Sequence, residues 1–255
     1  MLSELVSKNF IQVFNIFIEY LNKCSIFATS NSTTLTMKNR EFKDAMYDGL
    51  SKMLKALANP YRFEIIEILS QGEKSVEGIV QVTGMSIANA SQHLQVMKNN
   101  NVVKARKEGH YVYYSLVNDE FLSLYQHIIK YAIREIAELE KILNRQREDN
   151  KSINAVSLEE LESMIENKNV LLMDVRPSIE YEFGHITGAI SVPVNDLMTT
   201  LKNISKNKEI IAYCRGPFCV LADEAVKILS EQGYKVRRLD EGYPEWKIKQ
   251  LETNN

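Results

Sequence analysis

Two cysteines five positions apart, Cys214 and Cys219, frame the stretch of this 255-residue chain best suited to chemistry. Cys214 follows Ile210-Ile211-Ala212-Tyr213, an apolar, β-branched run that reads as a buried strand, and Val220 to Leu229 repeats apolar residues at helical spacing. A sulfur placed where a strand passes into a helix meets unpaired backbone N–H groups and the positive end of the helix dipole, and both favour the thiolate. Arg215 adds a cation one residue away. Cys214 is therefore expected to be a nucleophile with depressed ionisation, although position alone also suits a small buried residue at a strand end.

Cys219 has two readings. It can be a resolving thiol that attacks an oxidised or persulfidated Cys214 to give a disulfide or polysulfide, or a small apolar residue in the first helical turn. With His185 as the one histidine in a nearby motif, the two cysteines fall short of a closed tetrahedral shell, so no metal and no cofactor is expected here. Asp174 and Arg176 follow the apolar run Val170–Met173, at the carboxyl end of a second strand, which is the functional edge of an open parallel sheet. They brace the cysteine loop, touch substrate, or form a structural ion pair.

Three blocks in this half carry a resemblance. Asp174 to Pro193 reads Asp-Val-Arg-Pro-Ser-Ile-Glu-Tyr-Glu-Phe-Gly-His-Ile-Thr-Gly-Ala-Ile-Ser-Val-Pro, Cys214 to Cys219 is a short loop sequence, and Glu241 to Trp246 is a closing glycine–tryptophan motif. In this order they resemble rhodanese (sulfurtransferase) domains. The resemblance implies an α/β domain with a parallel sheet over residues 153–255, whose Cys214 carries a persulfide cradled by the loop's own amides. Successive N–H groups at a helix start do form an anion-binding nest, which Gly216 and Pro217 help shape. Rhodaneses that use thiosulfate usually carry a second loop cation. Here Gly216, Pro217 and Phe218 follow Arg215, which argues against thiosulfate. His185, in Gly184-His185-Ile186-Thr187-Gly188-Ala189, has the place where the family's chain turns into its next strand, and is expected to be structural.

The amino-proximal half has another pattern. Apolar residues from Phe42 to Leu69 recur at three- and four-residue spacing, interrupted at Asn59-Pro60, as in two helices joined by a turn. Ser75 to Thr83 is a short helix ended by Gly84. Ser86 is placed to cap a helix from Ile87 to Lys98, with Ala90, Leu94 and Met97 on one face. Asn89, Ser91, Gln92, His93 and Gln95 then point largely outward, with side chains suited to base edges and phosphates. Val102 to Leu116 is two β-rich runs around a charged glycine turn, a hairpin with Arg106, Lys107 and His110 at its tip.

Helix, turn, helix and hairpin make a winged helix-turn-helix of α+β class. Ala56-Leu57-Ala58-Asn59-Pro60-Tyr61-Arg62 together with Ser91-Gln92-His93-Leu94 resembles the arsenical-resistance-repressor (ArsR) family. That implies a DNA-binding regulator recognising a double-stranded operator, with Ser86, Asn89, Ser91, Gln92, His93, Gln95, Lys98, Arg106, Lys107 and His110 facing the duplex. The whole chain carries 31 Lys+Arg against 33 Asp+Glu, net −2, which excludes a general affinity for polyanions. Between Ser86 and Ser115, however, Lys98, Lys104, Arg106 and Lys107 face one acid, Glu108, so DNA affinity should fall steeply with salt.

From Phe121 to about Arg147 one long helix is predicted, with Leu124, Ile128, Ala132, Ile136, Leu139 and Leu143 repeating at roughly helical intervals. This stripe exceeds what a small domain needs, and a homodimer formed through it would supply the two-fold symmetry of a paired operator. The DNA-binding and dimerisation domain is placed at residues 37–147 and a polar linker at 148–152. Many ArsR relatives sense metals through cysteines in the helix before the recognition helix. Here Ser75 to Thr83 has no thiol, so no metal site is expected in this half.

The remaining stretch, residues 1–36, includes Cys24 and an apolar run from Phe10 to Leu21 that is too short to span a bilayer. Relatives of the family begin near Met37, so these residues are expected to be disordered or to precede the native start. Three cysteines and no evident leader fit a reduced, cytoplasmic protein with no membrane partner. The reading is a dimeric regulator, a repressor by resemblance, whose second domain senses or carries sulfur received on Cys214 from a sulfane-sulfur donor. The alternative is a sulfurtransferase with an autoregulatory DNA-binding domain.

Overall fold

Asn59-Pro60 sets the first helix boundary. Helix α1 (Ser32–Leu57) ends just before it, the Asn59 side chain accepts a hydrogen bond from the Tyr61 N–H, and Pro60 opens α2 (Pro60–Ser70), where a missing N–H costs nothing. The computed structural model describes residues 32–149, 155–166, 170–201 and 204–253. Most of the 1–36 extension, Cys24 included, and most of the expected linker lie outside them. Ser32–Thr36 belong to α1. The described residues fall into two compact units, one within 32–52 and one within 53–253. In the first, α1 leaves Phe42, Met46, Tyr47 and Leu50 exposed.

In the second unit, a two-residue strand β1 (Lys74–Ser75) leads into α3 (Val76–Thr83), capped by Ser75 and closed by Gly84. Ser86 caps α4 (Ile87–Asn99) by accepting the Asn89 N–H at 3.2 Å, as the sequence predicts. The hairpin is β2 (Val103–Glu108) and β3 (Tyr111–Leu116), antiparallel from Val103 opposite Leu116 to Glu108 opposite Tyr111, with β1 on the outer side of β3. Ile65, Ile66, Ala90, Leu94, Met97 and Val102 form the core beneath it.

The long helix is the first correction. It divides into α5 (Asp119–Glu135) and α6 (Ala137–Asp149) at Ile136, which has extended backbone with φ −106° and ψ 95°. Neither Pro nor Gly marks the break. A straight helix would put Leu143 roughly 20 Å along the axis from Ile129. The break turns α6 back, and Leu143 lines the same cavity as Ile129 and Ile133.

The carboxy-proximal part alternates strand and helix: β4 (Ala155–Val156), α7 (Leu158–Glu166), β5 (Val170–Asp174), α8 (Ser178–Phe183), β6 (Ile190–Ser191), α9 (Leu197–Thr200), β7 (Glu209–Tyr213), α10 (Leu221–Glu231), β8 (Val236–Leu239) and α11 (Tyr243–Thr253). The sheet is wholly parallel in the order β4-β8-β7-β5-β6, so β7 is central and its apolar residues pack on both faces. The two folds share a core at one place: Ile248 of α11 is buried among the winged-helix residues, and beside it Lys247 pairs with Asp119 at 2.6 Å.

Candidate functional site

Cys214 follows the last residue of β7, but the helix does not begin there. Residues 214–220 form the loop and α10 starts at Leu221, within a residue of the helical pattern read from Val220. The loop closes on itself through the Cys219 N–H donating to the Gly216 carbonyl at 3.1 Å. Gly216 has φ +146°, a region open mainly to glycine. Gly242, in the closing motif, lies so near that a Cβ would come within 2.6 Å of the Cys214 and Arg215 backbone, and the Tyr243 N–H bonds the Cys214 carbonyl. The closing motif thus fixes the loop by backbone contact.

The expected thiolate at Cys214 is corrected as well. Its side chain is buried, 3% exposed, and burial pushes its pKa well above that of a free thiol. The neighbouring Cys219 adds to that rise, and the amides of Gly216 and Ala222 only partly oppose it. Cys219 behaves oppositely. A hydrogen bond from Cys214 comes first in drawing it down to about 7, burial opposes, and the amides of Arg215 and Leu221 and the Arg215 charge assist. The two sulfurs titrate together, and the pair loses its first proton near neutrality. The nest expected from the loop and helix amides is present, but it serves both sulfurs.

Arg215 is less available than its position suggests. Its Nε and Nη2 bind the two oxygens of Glu180 at 3.0 and 2.7 Å, and Glu180 also has Lys74 at 3.7 Å. Asp174 and Arg176 are both 0% exposed, so neither reaches a substrate at the surface. Arg176 binds Asp174 through Nε and Nη2, the Gly184 carbonyl at 2.8 Å and the Gln71 side chain at 2.9 Å. Asp174 in turn accepts the Tyr213 hydroxyl at 2.7 Å. Of the alternatives for this pair, the geometry is that of a brace.

Gln71 is the residue that sequence reasoning missed. It ends α2 in the winged helix and is 1% exposed, yet its Oε1 accepts from Arg176 and its Nε2 donates to the Arg215 carbonyl at 3.2 Å. A glutamine after a helix reads as an ordinary end residue, and no spacing rule pairs it with a loop 144 positions away. His185 stacks on Tyr181, ring centroids 3.8 Å apart, and its Nδ1 meets the Tyr181 carbonyl at 3.0 Å, in keeping with a structural part.

On α4, Ser86, Ser91, Gln92, Gln95 and Lys98 are exposed, whereas Asn89 and His93 are half-buried. His93 packs on Tyr61 with ring centroids 5.6 Å apart, and burial, then Arg62, lowers its pKa, so it is less outward than expected. At the wing tip Lys107 and His110 are exposed. Arg106 is already engaged: it binds Glu73 at 2.6 Å and Glu108 at 2.5 Å and lies over the Tyr113 ring. Glu73 therefore offsets part of the local positive excess counted from the sequence. Among the described residues no group of three or more His, Cys, Asp or Glu could hold a metal ion, and no helix is long and apolar enough to cross a membrane.

A winged helix fused to a parallel-sheet domain with a cysteine loop defines a class: a DNA-binding regulator carrying a rhodanese-like module. Residues 59–105 match the family model for bacterial regulatory proteins of the arsR family, and residues 157–249 match that of the rhodanese-like domain. The HTH-type transcriptional regulator Rv0324 of Mycobacterium tuberculosis is 37% identical over 209 residues, spanning 81% of this chain and 90% of that protein. The chain belongs to the ArsR family of transcriptional regulators, in the form that carries a rhodanese domain. A cadmium resistance transcriptional regulatory protein CadC homolog of Staphylococcus aureus is 36% identical over 105 residues, 40% of this chain and 86% of its own. Among solved structures, the homodimeric winged helix-turn-helix DNA-binding domain of a possible ArsR-family regulator from Mycobacterium bovis matches 43% of this chain and 94% of that one, at 32% identity and a TM-score of 0.37.

Proposed function

We propose that this regulator binds its operator as a cytoplasmic homodimer and represses transcription until a sulfane-sulfur donor reacts with Cys214 and Cys219. The apolar side chains left exposed on α5 and α6, among them Leu124, Tyr131, Ile136, Leu139 and Ile142, support pairing of two copies, and α1 offers a second such stripe. Ser91, Gln92, Gln95, Lys98, Lys107 and His110 face the duplex, with Ser86 capping α4 and Asn89, His93 and Arg106 shaping the surface.

The chemistry uses both thiols. The thiolate on Cys219 attacks a sulfane sulfur of an inorganic polysulfide, an S–S bond breaks, and a polysulfide one sulfur shorter leaves. The Cys219 persulfide is then attacked at its Sγ by Cys214, whose proton passes to the departing hydrosulfide, leaving a Cys214–Cys219 disulfide. Persulfide on Cys214 is the other product of the same pair. Both reshape the loop that carries the Arg215 carbonyl.

One observation carries the reading: the Gln71 bond to that carbonyl ties the cysteine loop to the end of α2, whose Ile65, Ile66 and Leu69 share a core with Leu94 and Met97 of α4. A loop change that breaks this bond alters the seat of the recognition helix. Coupling of about 1–3 kcal/mol is usual between such sites, or roughly 5- to 150-fold in affinity. The test measures operator affinity before and after polysulfide in the native chain, Cys214→Ser and Cys219→Ser. A drop of about tenfold or more confined to the native chain is expected. Equal affinities throughout would discard sensing and leave the sulfurtransferase alternative, which sulfur transfer to cyanide or a thiol would then decide.

A further inference from the structure

The winged helix and the back of the cysteine loop enclose a cavity of about 350 Å³, within the range of roughly 300–1,000 Å³ in which proteins hold small molecules. Its apolar wall is Leu122, Tyr125, Ile129 and Ile133 from α5 and Phe218 from the loop. Its lining carries more acid than base. Glu67, Glu241 and Glu245 line it, and none of them forms an ion pair among the described residues. Glu241 accepts the Leu158 N–H at 3.2 Å and Glu245 the Gly242 N–H at 2.9 Å, bonds that satisfy one oxygen of each without supplying charge.

Two cations share the lining. Arg215 is held by both oxygens of Glu180 and its charge also reaches Glu67, and Lys130 is exposed with its charge reaching Glu245. The fourth acid, Asp240, is bound by Arg238 at 2.9 Å. Burial lifts the pKa of Glu67, Glu241 and Glu245 above the ordinary carboxylate range, and the charges of Arg215 on Glu67 and of Lys130 on Glu245 only partly oppose it.

We propose that this cavity binds a small amphipathic organic cation, an ammonium group on an apolar body. The apolar wall takes the body, the ammonium supplies the ion pair that the three carboxyls lack, and the rings of Tyr125 and Phe218 offer faces to a cation. An anion would meet the same carboxyls, and a neutral molecule would leave them as they are. The occupant touches Arg215–Phe218 on one side and α5 on the other, so it is an input to the regulator separate from the thiols and independent of the sulfur reading.

The test is calorimetric titration of the full chain with 4-phenylbutylammonium, 4-phenylbutanol and 4-phenylbutyrate, which share one body and differ in charge. The ammonium is expected to bind once per chain, about tenfold or more tighter than the alcohol, with the carboxylate weaker still. Glu245→Gln, which keeps the bond to Gly242, should weaken the ammonium about fivefold or more and leave the alcohol unchanged. Ile129→Trp, or Ile133→Phe should the first fail to fold, should fill the cavity and remove binding. Saturable binding by none of the three probes, an alcohol or carboxylate as tight as the ammonium, or ammonium binding untouched by Glu245→Gln and by the filled cavity would overturn the proposal.

Discussion

Replacing Gln71 by leucine tests both the packing of the two folds and the coupling between them. The change keeps the volume of the side chain and removes its hydrogen bonds to the Arg176 guanidinium and the Arg215 carbonyl. Arg176 is fully buried, and a charged donor left unpaired there costs about 1.5–3 kcal/mol, with about 1 kcal/mol more for the carbonyl. The expected loss is about 2–4 kcal/mol in urea unfolding of the full chain. Operator affinity without polysulfide should fall about tenfold, toward that of the polysulfide-treated native chain, because the bond that seats α4 is already broken, and the further response to polysulfide should shrink from about tenfold to threefold or less. Gln71→Glu separates the two effects: its carboxylate still accepts from Arg176 but has no proton for the Arg215 carbonyl, so stability should hold while the response is lost. A stability loss under about 1 kcal/mol in Gln71→Leu, or an undiminished response in both variants, would refute the reasoning.

Three further outcomes are expected. The rate of thiol alkylation should rise with pH through a midpoint near 7, since the thiolate is the reactive form and Cys219 is the lowered sulfur. In Cys219→Ser the Cys214 midpoint should lie above that of free cysteine, and iodoacetamide kinetics from pH 5 to 10, with Cys24 replaced by serine throughout, check both. In salt titrations of operator binding, Lys107→Ala should reduce the slope of log affinity against log salt by about one, whereas Arg106→Ala, already paired with Glu73 and Glu108, should reduce it less. Gly242→Ala forces its Cβ against the Cys214–Arg215 backbone and should lower the unfolding midpoint and change the alkylation rate of the cysteine pair; an unchanged rate would show that the closing motif does not set the loop.

Local rules determined a great deal of this chain. The break at Asn59-Pro60, the short helix from Ser75 ended by Gly84, the cap at Ser86, the apolar face of α4, the hairpin and the strand ahead of Cys214 follow from interactions within a few residues, so they were legible as patterns. The motifs were equally local, and through them both families could be recognised. Tertiary structure decided the rest, because each correction depends on partners far apart in the chain. Ile136 breaks a helix whose periodicity is unbroken, and the result places Leu143 beside Ile129. Arg215 turns from the sulfur beside it to Glu180, Arg106 meets Glu73 from outside the hairpin, and burial at the end of the central strand raises the Cys214 thiol instead of ionising it. Gln71 shows the limit most clearly: nothing near it in sequence marks it, and its role exists only where the end of α2 meets Arg176 and the carbonyl of Arg215. Desolvation and pairing over such distances are properties of the folded whole, and no window of the sequence contains them.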